Sequence, residues 1–145
     1  MQDVKIIDID NEQWNMKDQV ARNKIAALEE AVSVKDLQNV EIKMKPDYTA
    51  SIKMAYNHYS VGKIHFMTIR FDSLSGTNIG TGATANIASI NLYPKKETTF
   101  ILYDYMNKAI LRCYLYTDGT IAVGESVGVT SGSNSCYGEL IFAEA

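Results

Sequence analysis

Several things are scarce in this sequence, and each scarcity excludes something. There are two cysteines, Cys113 and Cys136, in 145 residues. That is too few for a disulfide framework, so two buried thiols are expected in a reducing compartment. No apolar run approaches the ~20 residues a membrane-crossing helix needs. The first residues, Met1-Gln2-Asp3-Val4-Lys5, lack the basic stretch, apolar core and small-residue cleavage site of a signal peptide, so folding in a cytoplasm is expected. Positive charge is not in excess: the formal net charge is −3. This argues against a chain built to grip nucleic acid or an anionic membrane, and membrane insertion is not expected. Only two histidines occur, His58 and His65, with no carboxylate spacing that points to a metal. They read as structural, and no cofactor is expected.

What is present is divided along the chain. Residues 1–45 carry 16 charged residues and no glycine, whereas the first glycine is Gly62 and every threonine follows Asp47. The composition predicts an arm over residues 1–37 and a β domain over residues 38–145. Within the arm, Val4 to Asp10 is strand-like and a polar turn leads to Trp14. Asn15 is placed as a helix N-cap, with Asp18 near the helix start. From Met16 to about Ala31 nothing breaks a helix, and Asp18 and Arg22 have a stabilising spacing of four. Ala21, Ile25, Leu28 and Val32 repeat in a 4-3-4 spacing, the seam of a short coiled coil. A helix of about 16 residues is marginal alone in water, so this stripe must pack either on the chain's own β domain or on copies of itself. Ser33 to Asp36 reads as a further capping signal.

Beyond it the hydrophobic period changes to two. Val40, Ile42 and Met44 alternate with charged residues, and Pro46-Asp47 ends the run. Strands are then expected at 51–57, 63–72, 87–93, 99–105, 109–117, 120–123 and 137–142. The 63–72 run is apolar on both faces and is expected inside a sandwich. Asp118-Gly119 marks a two-residue hairpin turn. Residues 73–86 and 125–135 read as loops. The fold class expected is mainly β, a β-sandwich or jelly-roll-like domain preceded by a short coiled-coil helix.

No catalytic set emerges, and the chain is not expected to be an enzyme. Gly124-Glu125-Ser126-Val127-Gly128 matches the G-x-S-x-G pattern, but no histidine and no helical pattern follow it. Gly76, Gly80 and Gly82 lack the ending of a phosphate-binding loop. Asp8, Asp10 and Glu12 lack the glycine and closing glutamate of a calcium loop. A hydrolase would rest only on facing carboxylates, which fall here at strand ends and turns. The compositional excess is tyrosine, nine against four phenylalanines and one tryptophan. Tyr93, Tyr103, Tyr105, Tyr114 and Tyr116 fall at expected strand termini. Their flat apolar faces and polar tips suit glycans or protein interfaces, and equally suit ordinary strand packing.

The arm carries the most specific pattern: Ile7-Asp8-Ile9-Asp10, Gln13-Trp14, Lys17-Asp18, Ala21-Arg22, Lys24-Ile25 and Leu28-Glu29. It resembles the N-terminal signature of tail, baseplate and fibre proteins of tailed bacteriophages and prophages. The closing Tyr137-Gly138-Glu139-Leu140-Ile141-Phe142 is similar to their short C-terminal strand. About 25 arm residues carry the resemblance, and the middle of the chain matches only in being β-rich. The resemblance implies a non-enzymatic virion part, a homotrimer attached to other virion proteins through residues 1–37, with an outward β domain for a host surface glycan. It implies residence in the virion after synthesis in the bacterial cytoplasm. No extended shaft separates arm from head, which departs from the fibres and leaves a small accessory or decoration protein open. The competing expectation is a monomeric carbohydrate-binding module, which has no need of a charged, apolar-striped helix.

Overall fold

The computed structural model describes the backbone of residues 7–9, 12–14, 16–36, 40–79, 81–128 and 134–145. It describes their side chains except at 7–9, 12–14, 16–18, 34–36 and 51–57. The expected Asn15 cap, the Asp8, Asp10 and Glu12 side chains and Gly80 lie outside the described residues, as does the Asp18 side chain.

The chain opens with a small antiparallel pair, β1 (Ile7–Ile9) and β2 (Glu12–Trp14), in which Ile7 stands opposite Trp14. Helix α1 follows over Met16–Val32. It ends where Ser33 turns back on Glu30, its hydroxyl donating to the Glu30 carbonyl at 2.8 Å. Every residue from Gln19 to Val32 is exposed, so the apolar stripe does not pack on the β domain. The helix touches that domain at its end: Gly62, at φ +57°, leaves room for the Ala31 carbonyl, which a Cβ there would meet at 2.7 Å. Ser33 to Asp36 does not cap a second helix. Val34–Asp36 forms strand β3, because a tertiary partner, Tyr59 to Val61, offers an open edge.

The β domain is mainly one antiparallel sheet of nine strands in the order β3-β5-β6-β11-β8-β9-β10-β7-β4. Its members beyond β3 are β4 (Ile42–Met44), β5 (Tyr48–Val61), β6 (Ile64–Gly76), β7 (Ala85–Ile90), β8 (Thr98–Asp104), β9 (Ala109–Leu115), β10 (Thr120–Val127) and β11 (Asn134–Ala143). Edge strand β4 lies against β5, so the sheet curls until it nearly closes. The mainly β class with one short N-terminal helix is therefore as expected.

Alternation decides which face is inside. On β9, Ala109, Leu111, Cys113 and Leu115 are buried while Ile110 and Arg112 are exposed. On β8, Phe100, Leu102 and Asp104 point in and Ile101 and Tyr103 out. Ile69, Phe71, Leu74, Ile87, Leu111 and Ile121 are fully buried and belong to one core. The 63–72 run is buried on one face only: Phe66, Thr68 and Arg70 on the other are half-buried. Residues 73–76 extend β6 rather than beginning a loop, since Ser73 takes φ +57° at a register shift that returns Leu74 to the core. Likewise β10 runs on to Val127 through a bulge between Val123 and Ser126.

Asp118-Gly119 makes the expected turn. The Asp118 carboxylate accepts from the Thr120 amide at 2.8 Å, which holds its pKa below the usual range. Gly119, at φ +79°, passes so close to the Ile90 carbonyl that no side chain fits.

Candidate functional site

The same alternation that fills the core writes a second pattern on the outer face. Antiparallel register sets residues of neighbouring strands in rows. In one row Tyr59 of β5 stands opposite Phe66 of β6, and Phe66 opposite Ile141 of β11. The Tyr59 and Phe66 rings stack with centroids 4.9 Å apart. In the next row Thr68 stands opposite Glu139. In the third, Arg70 faces Tyr137, Tyr137 faces Tyr103, and Tyr103 faces Ile110. Ile141, Tyr137, Tyr103, Ile110 and Tyr105 are all exposed. Two largely aromatic and aliphatic rows, separated by Thr68 and Glu139, thus span five strands between them on the solvent side, a strip of exposed apolar groups with polar groups placed among them. Exposed apolar surface rimmed by polar residues is a candidate interaction site.

Two depressions lie along the strip and share Thr68. One, of about 220 Å³, is lined by Tyr59, Phe66, Thr68, Glu139 and Ile141. The other, of about 260 Å³, is lined by Thr68, Arg70, Tyr105 and Tyr137. Each is smaller than the roughly 300–1,000 Å³ of an ordinary small-molecule pocket, and both are open. Their polar groups are few and placed. Arg70 Nε donates to Asp72 Oδ1 at 2.7 Å, which fixes the guanidinium beside Tyr137. Tyr105 is held by its predecessor: the buried Asp104 carboxylate accepts from the Met106 and Asn107 amides at 2.9 and 3.2 Å and from Asn107 Nδ2 at 2.7 Å. Asn107 in turn donates to Asn134, whose Nδ2 donates to the Leu74 carbonyl. This buried network anchors the β8–β9 turn that carries Tyr105.

Aromatic faces beside a charged planar group and a hydroxyl can take a sugar ring or a protein partner. Of the tyrosines expected at such a site, the fold brings Tyr103 and Tyr105 to the strip. Tyr114 of β9 and Tyr116, just beyond that strand, stack on each other, centroids 6.2 Å apart. Tyr114 also lies over Gly124, where an added Cβ would be 2.7 Å from its ring, so its face is taken up in packing. Tyr93 is exposed elsewhere, in the segment whose carbonyl receives the Ala145 amide. The residues that sequence spacing missed are Tyr137, Arg70, Tyr59 and Phe66.

Nothing in the strip assembles a nucleophile with a base. The G-x-S-x-G stretch lies within and at the end of β10, not at a strand-to-helix turn. Among the described residues no cluster of three or more His, Cys, Asp or Glu is placed to hold a metal ion. Among them, too, no helix is long and apolar enough to cross a membrane. The Cys136 thiol is pushed up to about 12, mainly by burial and next by Asp104. Cys113 is pushed up further, by burial and by Cys136.

Fold and face together define a curled antiparallel β domain with an aromatic outer strip, carried behind an exposed helical arm. Among solved structures, the receptor-binding protein (gp15) of Listeria phage PSA is similar, with a TM-score of 0.50 over 88% of this chain and 74% of that one, at 16% sequence identity. At that identity the likeness is one of fold. No protein-family model matches the chain, and no curated protein sequence does.

Proposed function

We propose that the chain is a virion structural protein of a tailed bacteriophage or prophage, of tail, baseplate or head-fibre type, whose β domain binds a host cell-surface glycan. The observation that carries this reading is the fold shared with a phage receptor-binding protein over most of the chain. The arm supports it: Ile25, Leu28 and Val32 are each more than half exposed, and among the described residues the helix meets the β domain only at its end, where Ala31 approaches Gly62. Burying one such side chain contributes about 1.5–3 kcal/mol. Three copies packed along Ala21, Ile25, Leu28 and Val32 recover that stabilisation and make a trimer. Residues 1–37 then face the particle and other virion proteins.

The glycan site is the strip around Tyr105, Tyr137, Arg70 and Thr68, with Tyr103 supporting Tyr137. Tyr93, Tyr114 and Tyr116 lie away from these depressions and are secondary contacts at most. The test is binding of the intact chain to an array of bacterial surface glycans, beside its solution mass by light scattering. A trimer that retains one glycan class, and loses it on Tyr137→Ala, supports the proposal. A monomer that still binds the same glycans leaves a carbohydrate-binding module without a virion role. Silence on the array, with intact cells of candidate hosts also unbound, overturns the receptor-binding reading.

A further inference from the structure

The two depressions share Thr68 and differ in charge. The one lined by Thr68, Arg70, Tyr105 and Tyr137 holds a paired cation, since Arg70 Nε donates to Asp72 Oδ1 at 2.7 Å. The one lined by Tyr59, Phe66, Thr68, Glu139 and Ile141 holds a carboxylate. On the outer face of β11, Glu139 is the charged position between Tyr137 and Ile141, and all three are exposed.

Facing opposite charges across strands is an ordinary way for a sheet to carry charge. The described charged side chains of β6, β9 and β10 on this face follow it: Arg70 pairs with Asp72, and Arg112 with Glu125 at 3.5 Å. Glu139 departs from it. Its register partner on β6 is Thr68, a hydroxyl, and among the described residues it has no ion-pair partner. Its other neighbours in the depression are apolar. The Tyr59 and Phe66 rings stack 4.9 Å apart with their planes at 9°, and Ile141 stands opposite Phe66.

An exposed carboxylate beside stacked rings has the chemistry of a cation site. The carboxylate accepts charge-assisted hydrogen bonds from an ammonium. The rings draw the same charge through their quadrupoles. An ammonium brings three donors, enough to bond Glu139 and the Thr68 hydroxyl together. An anionic substituent would meet repulsion from Glu139 instead.

We propose that this depression takes the ammonium group of an amino sugar, so that the glycan held by the strip carries an unacetylated amine. The inference rests on the receptor-binding reading above and names the chemistry of its ligand. The sugar ring lies at Tyr137 and Tyr105, and its amine reaches Glu139 past Thr68. Tyr137 and Glu139 are two residues apart on β11, about 7 Å, the reach of one sugar ring and its substituent. N-acetylation removes the charge that the carboxylate and the rings select.

The test is binding of the intact chain to an array of bacterial oligosaccharides in which each amino sugar is paired with its N-acetylated counterpart, below the pKa of the sugar amine. The best pair is then titrated in solution. The free amine is expected to bind at least ~10-fold more tightly than the acetylated form, with amide shifts at Thr68, Glu139 and Ile141 by NMR. Added salt and a pH raised through the amine's own pKa should both erode that preference. Glu139→Gln keeps the size of an exposed side chain and should abolish the preference while leaving the acetylated form bound as before. Equal affinity for the two forms, or a preference that survives Glu139→Gln, overturns the inference. If such glycans are nonetheless lost on Tyr137→Ala, the receptor-binding reading stands without it. Tighter binding of a lysine-rich peptide than of any amino sugar assigns the depression to a protein partner and also overturns the inference. A silent array overturns it too, and silence of intact candidate-host cells as well overturns the receptor-binding reading with it.

Discussion

Tyr137 of β11 and Tyr103 of β8 are direct cross-strand partners whose rings meet edge to face, centroids 6.0 Å apart and planes at 84°. In register Tyr137 stands between Arg70 and Tyr103, and with Arg70 and Tyr105 it lines the larger of the two depressions. On the proposed receptor-binding reading, Tyr137→Ala is expected to weaken glycan binding ~10-fold or more, about 1.4 kcal/mol or above. Because the ring is 46% exposed, the melting temperature should shift little. Array binding and calorimetric melting on the same preparation check both halves.

The helix makes a separate prediction. Ile25→Asp with Leu28→Asp introduces charge on the exposed stripe and should convert an oligomer to a monomer of 16.1 kDa. Light scattering reads the mass. The fold of the β domain, followed by far-UV dichroism of the strands, should be unchanged, since neither residue packs on it. An oligomer that survives both charges means the seam lies elsewhere.

Gly138 sits in β11 where a Cβ would run into the Ile101 carbonyl of β8. Gly138→Ala is therefore expected to destabilise by about 2 kcal/mol or more, through displaced backbone rather than lost contacts. Denaturant unfolding gives the magnitude. An unchanged midpoint would show that β8 can retreat without loss.

Asp104 is fully buried and satisfies three donors of the β8–β9 turn. Asp104→Ala leaves those donors without their acceptor, and the expected cost is about 2–4 kcal/mol. If the strip binds glycan as proposed, that affinity should fall as well, because Tyr105 loses its anchored turn. Asp104→Asn, which keeps one carbonyl acceptor, should recover part of both.

Burial governs the thiols. Both Cys113 and Cys136 have pKa values raised well above that of a free cysteine, so little reactive thiolate forms near pH ~8. Neither is expected to react with a maleimide in the native chain, and both should react in denaturant, by mass spectrometry. Rapid labelling of the native protein would mean the core opens at the β8–β11 pairing.

The legible part of the sequence was the local part. Alternation gives β8 and β9, and Asp118-Gly119 gives the turn between β9 and β10, because each is decided by residues a few positions apart. Strand β3 was illegible: Val34 to Asp36 is three residues long and exists only because Tyr59 to Val61 offers a pairing edge. The continuation of β6 past Asp72 was hidden by Ser73 and Ser75, polar residues on a strand whose inward position is kept by Leu74. The candidate site fails to show for the same reason. Tyr137 and Arg70 meet across 67 positions of sequence through strand register alone. What could have pointed to them is the period of two in Tyr137, Glu139 and Ile141, whose outward phase follows from the buried Leu140 and Phe142.

The place of β11 in the sheet has one more consequence. Among the described strands it follows all the others in chain order, yet it is the one hydrogen-bonded to both β6 and β8. During synthesis, β5 and β6 can pair as soon as they leave the ribosome, and so can β8, β9 and β10, since each pairing is with a near neighbour. The two halves then wait, with the edges of β6 and β8 bare, until β11 emerges to join them. A bare edge accepts any matching strand. If the arms associate as proposed, the β11 that arrives first can belong to a neighbour, so the order of synthesis leaves strand exchange between copies open until Asn134–Ala143 is made.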